Sequence, residues 1–223
     1  MSRWILVLGG AKGLGREIAL ELAKAGFSVA VHYLSLDEEA ENTASDCKEF
    51  GVQAKTIISD LSTVDGAVAL AEKVRHEIGS IYGIVNCVGQ SVFGSVLETP
   101  LEKAEQLFAM NLFVPIALIR ELIEDLKRER GAVVHIETLK ILGGSRPYCE
   151  ASKEALIRIT RSLALELVSY GVRVNMISSF ESSSLTLACP PTDQALAQTA
   201  VYLISEQASS ITGQHIEAMR GAT

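Results

Sequence analysis

Residues 4–8, Trp-Ile-Leu-Val-Leu, run directly into Gly9-Gly10-Ala11-Lys12-Gly13-Leu14-Gly15, and an amphipathic segment from Glu17 to Ala25 follows at once. Glycines at a strand-to-helix junction let the backbone turn tightly and approach an anion closely. The free N–H groups and the dipole at the helix start favour negative charge at the same place. Strand, glycine-rich turn and helix in this order are the phosphate-binding turn of a dinucleotide-binding βαβ unit, and a glycine string without those flanks would say much less.

The rest of the chain repeats the alternation that such a unit needs. Apolar runs rich in Val and Ile, at residues 3–8, 28–33, 52–58, 81–87, 131–137, 172–178 and 214–219, predict strands. Stretches of helical period at 13–25, 37–50, 64–78, 101–128, 150–170 and 193–204 lie between them. Continuous apolar strands separated by helices predict an α/β fold with a doubly wound parallel sheet of about seven strands, of the Rossmann type. With 223 residues, 48% of them hydrophobic, the chain suffices for one well-filled core and is short for two, so a single domain spanning 1–223 is expected. Its only compositional irregularity is the Ser-rich stretch Ser178 to Ser184, which predicts a loop.

Charge and cysteine usage exclude several classes of function. A formal charge of −7 argues against a nucleic-acid partner, which calls for clustered Lys and Arg. Cys47, Cys87, Cys149 and Cys189 lie far apart, with no C-x-x-C pair and no His at ligand spacing. Neither a metal site nor a disulfide framework is expected, and a reducing, cytoplasmic setting fits best. The apolar N-terminal run is too short for a signal-peptide core or a membrane span, so no membrane partner is expected.

Gly9, Gly13 and Gly15 fit the pattern T-G-x-x-x-G-x-G, with Leu8 at the Thr position. In order after them come Asp60-Leu61, Asn86-Cys87-Val88-Gly89, Asn111, Ala151-Ser152-Lys153, Val172-Arg173-Val174-Asn175 and Ser210-Ile211-Thr212-Gly213-Gln214. In these strings the chain resembles the short-chain dehydrogenase/reductase family, and its ketoacyl-reductase-like members in particular, over nearly its whole length. The resemblance implies that Gly9, Lys12, Gly13, Leu14 and Gly15 hold the cofactor phosphates. It also implies that Asp60 and Leu61 lie against the adenine, that Asn86 and Gly89 contact the cofactor, and that Lys153 holds the cofactor ribose. It implies a homo-oligomer, a dimer or a tetramer, in which the helices after strands four and five pair across two-fold axes.

Nucleotide choice turns on the end of the second strand, where an acid would grip the ribose hydroxyls of NAD and a cation would suit the 2′-phosphate of NADP. That strand ends His32-Tyr33-Leu34, with no acid at Tyr33, and Lys12 stands in the glycine turn. NADP(H) is therefore favoured over NAD(H). Arg16, one turn away, is equally a solvated helix face.

In the family a Tyr four residues before the Lys transfers the proton to or from the substrate oxygen, a hydroxyl on strand five holds that oxygen, and the helix-four Asn relays protons through water. Mapped here, the roles fall to Tyr148, Lys153, Thr138 and Asn111, but four residues before Lys153 stands Cys149, and Tyr148 is five away. Four helical positions are separated by about 40° and five by about 140°, so Tyr148 and Cys149 cannot both face Lys153 from regular helix. Pro147 offers an irregular entry from which Tyr148 could swing back, whereas the other reading gives the phenol's place to Cys149, as proton donor or as a small buried filler.

Strand five ends His135-Ile136-Glu137-Thr138, where relatives read N-I-S-S. Glu137 is thus either an added carboxylate near the site or a solvent-facing residue, and His135 packs at the strand end. Ser179-Phe180 stands where the family has a P-G turn, and barely a dozen residues lead from there to the helix at Asp193. The cleft should therefore be open or covered by a partner chain. Three functions stay open: an NADP(H)-dependent carbonyl reductase or alcohol dehydrogenase acting on a small molecule, a nucleotide-binding protein without turnover, and altered lyase or isomerase chemistry through Glu137 or Cys149.

Overall fold

A computed structural model of the protein describes residues 3–35, 38–141, 146–182, 188–189, 192–218 and 220–221. The alternation becomes β1 (Trp4–Leu8), α1 (Gly13–Lys24), β2 (Ser28–Tyr33), α2 (Glu38–Lys48), β3 (Ala54–Ile58), α3 (Val64–Glu77) and β4 (Gly83–Asn86). There follow α4 (Leu101–Phe108), a π-helical turn (Ala109–Phe113), α5 (Val114–Glu121), α6 (Ile123–Glu129), β5 (Ala132–Ile141) and α7 (Pro147–Leu167). The chain continues with β6 (Arg173–Ser182), β7 (Ala188–Cys189), α8 (Asp193–Ile204), β8 (His215–Ala218) and β9 (Arg220–Gly221).

Seven strands form one parallel sheet in the order β3-β2-β1-β4-β5-β6-β8, while β7 and β9 make a separate antiparallel two-residue ladder. The order reverses between β1 and β4, and ligands bind beyond the strand ends at such a switch point.

Alternation along the strands divides the core in two. Ile5 and Val7 of β1 face α1 and α8 with Ile18, Leu22, Leu196 and Leu203, whereas Leu6 and Leu8 face α3, α5 and α7 with Leu70, Val74, Leu118 and Leu167. Both faces of β1 are dry, and each fully buried Leu, Ile or Val stabilises the fold by about 1.5–3 kcal/mol.

Three expectations are corrected. The single helix expected at 101–128 is broken at Ala109–Phe113, where the Val114 N–H bonds to Ala109 O five residues back, and again at Leu122. Pro115 gives the reason: it has no N–H to donate to Asn111 O, and its ring crowds that carbonyl, so the turn widens. The Ser-rich stretch is not all loop, because β6 runs to Ser182 along β5, pairing Glu137 with Ser178 and Thr138 with Ser179; backbone pairing outweighs the low strand propensity of Ser. Residues 183–187 lie outside the described set. Finally, α7 starts at Pro147 rather than at residue 150, proline being suited to a first helical turn.

Candidate active site

At the end of β1 the backbone turns with positive φ at Gly9 and Gly13, and α1 begins after Lys12 with no side chain capping its first turn. A Cβ at Gly15 would stand 2.1 Å from Gly9 O, so only glycine lets this turn and helix close up. The first N–H groups of α1 have no intrahelical acceptor, and the cradle fits a pyrophosphate.

The turn is held from behind. Gly9 N–H donates to His32 Nδ1 at 3.3 Å, Gly10 N–H to His32 O at 3.0 Å, and Thr43 Oγ1 to Ala11 O at 2.9 Å. His32 Nε2 lies 2.9 Å from Ser59 O, so Nε2 carries the proton and Nδ1 accepts. Burial holds this imidazole neutral, its pKa pushed down to about 4. The sequence signal for this strut is a histidine inside an apolar strand beside the glycine turn.

At the adenine side Asp60 is exposed and its carboxylate accepts from Ser62 N–H at 2.8 Å, while Leu61 is buried in the core. Tyr33 is half-buried at the end of β2. Lys12 pairs with Glu39 at 3.6 Å and Arg16 with Asp46 at 2.6 Å, both pairs at the surface beside the cradle.

Beyond the ends of β4 and β5 lies a cavity of about 370 Å³ whose walls include Asn86, Gly89, Asn111, Glu137, Arg146 and Lys153. Asn86 Nδ2 donates to His135 Nδ1 at 3.3 Å and its Oδ1 accepts from Val88 N–H at 3.3 Å, which fixes the floor. His135 is fully buried, its pKa pushed down to about 4 by burial, and its Nε2 has no hydrogen-bond partner among the described residues. The π turn carries Asn111 inward. Its Oδ1 accepts from Gln90 N–H at 2.7 Å, and its Nδ2 donates to Gln90 O and to Ser152 Oγ, each at 3.0 Å.

Lys153 Nζ stands 2.9 Å from Glu137 Oε1, and both are largely buried. The solvent-facing reading of Glu137 is thereby corrected: its position in β5 turns it into the cavity, where Lys153 makes the burial tolerable. Burial raises the carboxyl's pKa, and the Lys153 ammonium opposes that rise.

Cys149 takes the place four residues before Lys153 on the same helix. It is buried, its Sγ 3.3 Å from Ser91 Oγ and 3.7 Å from Gln90 O. The Tyr148 hydroxyl instead donates to Val96 O at 3.3 Å, and Tyr148 is not part of the cavity wall. The helix is regular from Pro147 on, so the rotation argument holds and the swing back does not occur. The expected constellation is thus brought together only in part: Lys153 and Asn111 meet at the cavity, Tyr148 does not, and the side chain of Thr138 lies outside the described residues. Arg146, which no sequence motif marks, also stands in the cavity wall.

Fold and site together define a dinucleotide-binding α/β protein of the Rossmann class, with the oxidoreductase arrangement of a lysine and an asparagine beyond the sheet switch point. Comparison with known proteins narrows the class: the short chain dehydrogenase family model matches residues 3–181, and the chain belongs to that family of oxidoreductases, whose members bind NAD or NADP. It is 29% identical over 241 residues to the 3-oxoacyl-(acyl-carrier-protein) reductase FabG of Staphylococcus aureus, covering 99% of this chain and 98% of that one. An uncharacterized oxidoreductase of Thermotoga maritima is 30% identical over 194 residues, covering 86% and 72%. Among solved structures, acetoin dehydrogenase from Enterobacter cloacae superposes with a TM-score of 0.87 at 24% identity, over 98% of this chain and 94% of that one, which establishes the shared fold.

Proposed function

We propose that this protein is an NADP(H)-dependent oxidoreductase that interconverts a small carbonyl compound and its alcohol, slowly and with an altered proton donor. The observation that carries the reading is the convergence of Lys153, Glu137 and Asn111 on a cavity beyond a glycine cradle that only glycine can form. A bound nicotinamide dinucleotide supplies the hydride. The chain's own contribution is to orient, to exclude water and to hold a proton: Asn111 fixes the loop at Gln90, and the Lys153–Glu137 pair is the buried acid–base couple nearest the missing phenol. The carbonyl substrate class is supported by the 3-oxoacyl-(acyl-carrier-protein) reductase among its relatives. Lys12 and the lack of an acid at Tyr33 support NADP(H), with Glu39 as an internal competitor for Lys12.

A second reading, a nucleotide-binding protein without turnover, is favoured by two contacts: Lys153 is engaged by Glu137, and the Tyr148 hydroxyl is spent on Val96 O. Titration with NADPH and NADH, followed by NADPH oxidation against a carbonyl panel, separates the two. The first reading expects tighter NADPH binding and a measurable rate; equal or tighter NADH binding removes the NADP preference, and tight binding with no oxidation favours the second reading.

We also propose a cytoplasmic homo-oligomer. Exposed Leu101, Phe113 and Leu165 on α4, the π turn and α7 support the pairing, and the free thiols Cys47, Cys87 and Cys149 support the reducing compartment. Among the described residues no single helix is long and apolar enough to cross a membrane.

A further inference from the structure

Three cationic side chains are buried among the described residues: Lys153, Arg173 and Arg146. Lys153 has its carboxylate in Glu137. Arg173 has four carbonyls at the end of α8 and beyond, those of Leu203, Ile204, Ser205 and Ala208. Arg146 is 6% exposed, yet no hydrogen bond or ion pair from the described residues reaches its guanidinium. Its Cζ makes a cation–π contact, 5.1 Å from the centroid of the Phe93 ring.

A buried charge without a counter-charge is costly, and an aromatic face offsets only part of that cost. Arg146 lines the cavity of about 370 Å³ together with Glu137 and Lys153. Those two charges cancel, which leaves the wall one positive charge in excess. A guanidinium is a planar fork of N–H donors that matches a carboxylate with two parallel hydrogen bonds. The Phe93 ring lies against the guanidinium and leaves its N–H fork without a carboxylate among the described residues.

We propose that Arg146 is the carboxylate-binding group of this cavity and that the substrate is a small oxo acid or its hydroxy acid, held as a monoanion. The assignment rests on the carbonyl–alcohol reading above and names its substrate class. The cavity must also take the nicotinamide end of the cofactor, so the room left over suits a molecule of a few carbons.

The test measures binding separately from turnover. Calorimetric titration of the whole protein in saturating NADP⁺ uses acetate, pyruvate and acetoacetate, each against its neutral methyl ester. At least one oxo acid should bind tenfold or more tightly than its ester. Arg146→Gln should lose at least tenfold for that acid and little for the ester, and Arg146→Lys should recover part of the loss. The melting temperature of Arg146→Gln should not fall, since a buried unpaired charge has been removed; a variant that fails to fold leaves the wild-type comparison of acid with ester to decide.

Equal affinities of acids and esters in the wild type overturn the proposal. So does an Arg146→Gln variant that keeps the acid and loses affinity for NADP⁺, because the anion would then be a cofactor phosphate. NADPH oxidation is read in parallel. Oxidation with neutral ketones but no discrimination between acid and ester overturns the substrate class and leaves the oxidoreductase reading in place. Discrimination without oxidation supports Arg146 as the carboxylate site and removes that reading.

Discussion

His32 and His135 are both buried as neutral imidazoles, one acting as a strut under the glycine turn and the other under Asn86. Each has its pKa pushed from 6.5 to about 4 in the folded chain, so between those values the unfolded chain binds protons that the folded one refuses. Stability must then fall as pH is lowered through that window, by about 3 kcal/mol per histidine at pH 4. Glu137 has the opposite sign: its raised pKa removes stability as pH rises above the ordinary carboxylate range. From the histidines, urea denaturation at pH 4.5 and pH 7 should show the lower stability at pH 4.5. His135→Gln should shrink that difference, and an unchanged difference would contradict the account of its burial.

Among the elements, the strings that align with the family prove to be latches as well as contacts. Arg173 gathers the carbonyls at the end of α8, Asn175 ties Ile211 O and Gln214 N–H to β6, and Asn111 ties Gln90 to the π turn. Arg173→Leu leaves those carbonyls orphaned in the core and should cost about 2–3 kcal/mol in urea denaturation; a loss below 1 kcal/mol would show that water replaces the guanidinium without penalty. Gly15→Ala drives a methyl into Gly9 O and should abolish detectable nucleotide binding while most of the sheet remains, read by titration and circular dichroism.

The strands and the glycine cradle were legible in the sequence because apolar periodicity and backbone freedom are local properties. The register of Tyr148 and Cys149 was legible as a conflict, since helical rotation forbids both from facing Lys153. Three features were not legible. The partner of Glu137 lies sixteen residues on in another element, the break at Asn111 follows from one proline's missing donor, and Arg146 stands just ahead of α7, where no periodicity marks it as a cavity residue.

For the whole molecule, the switch point between β1 and β4 sets cradle and cavity side by side, while Leu101, Phe113 and Leu165 are exposed on α4, the π turn and α7. Light scattering at micromolar concentration should report a dimer or a tetramer, and Phe113→Glu should shift it toward monomer; a wild-type monomer would contradict the pairing.

The central claim is that the nucleotide site is kept while the phenol's place beside Lys153 is held by a thiol. The direct measurement is NADPH oxidation with one carbonyl substrate by the wild type, Tyr148→Phe and Cys149→Tyr, with NADPH affinity determined for each. The wild-type rate should be slow and Tyr148→Phe should leave it within about twofold, Cys149→Tyr should raise it at least tenfold, and the affinities should be similar throughout. Abolition of the rate by Tyr148→Phe, with no gain from Cys149→Tyr, would contradict that claim.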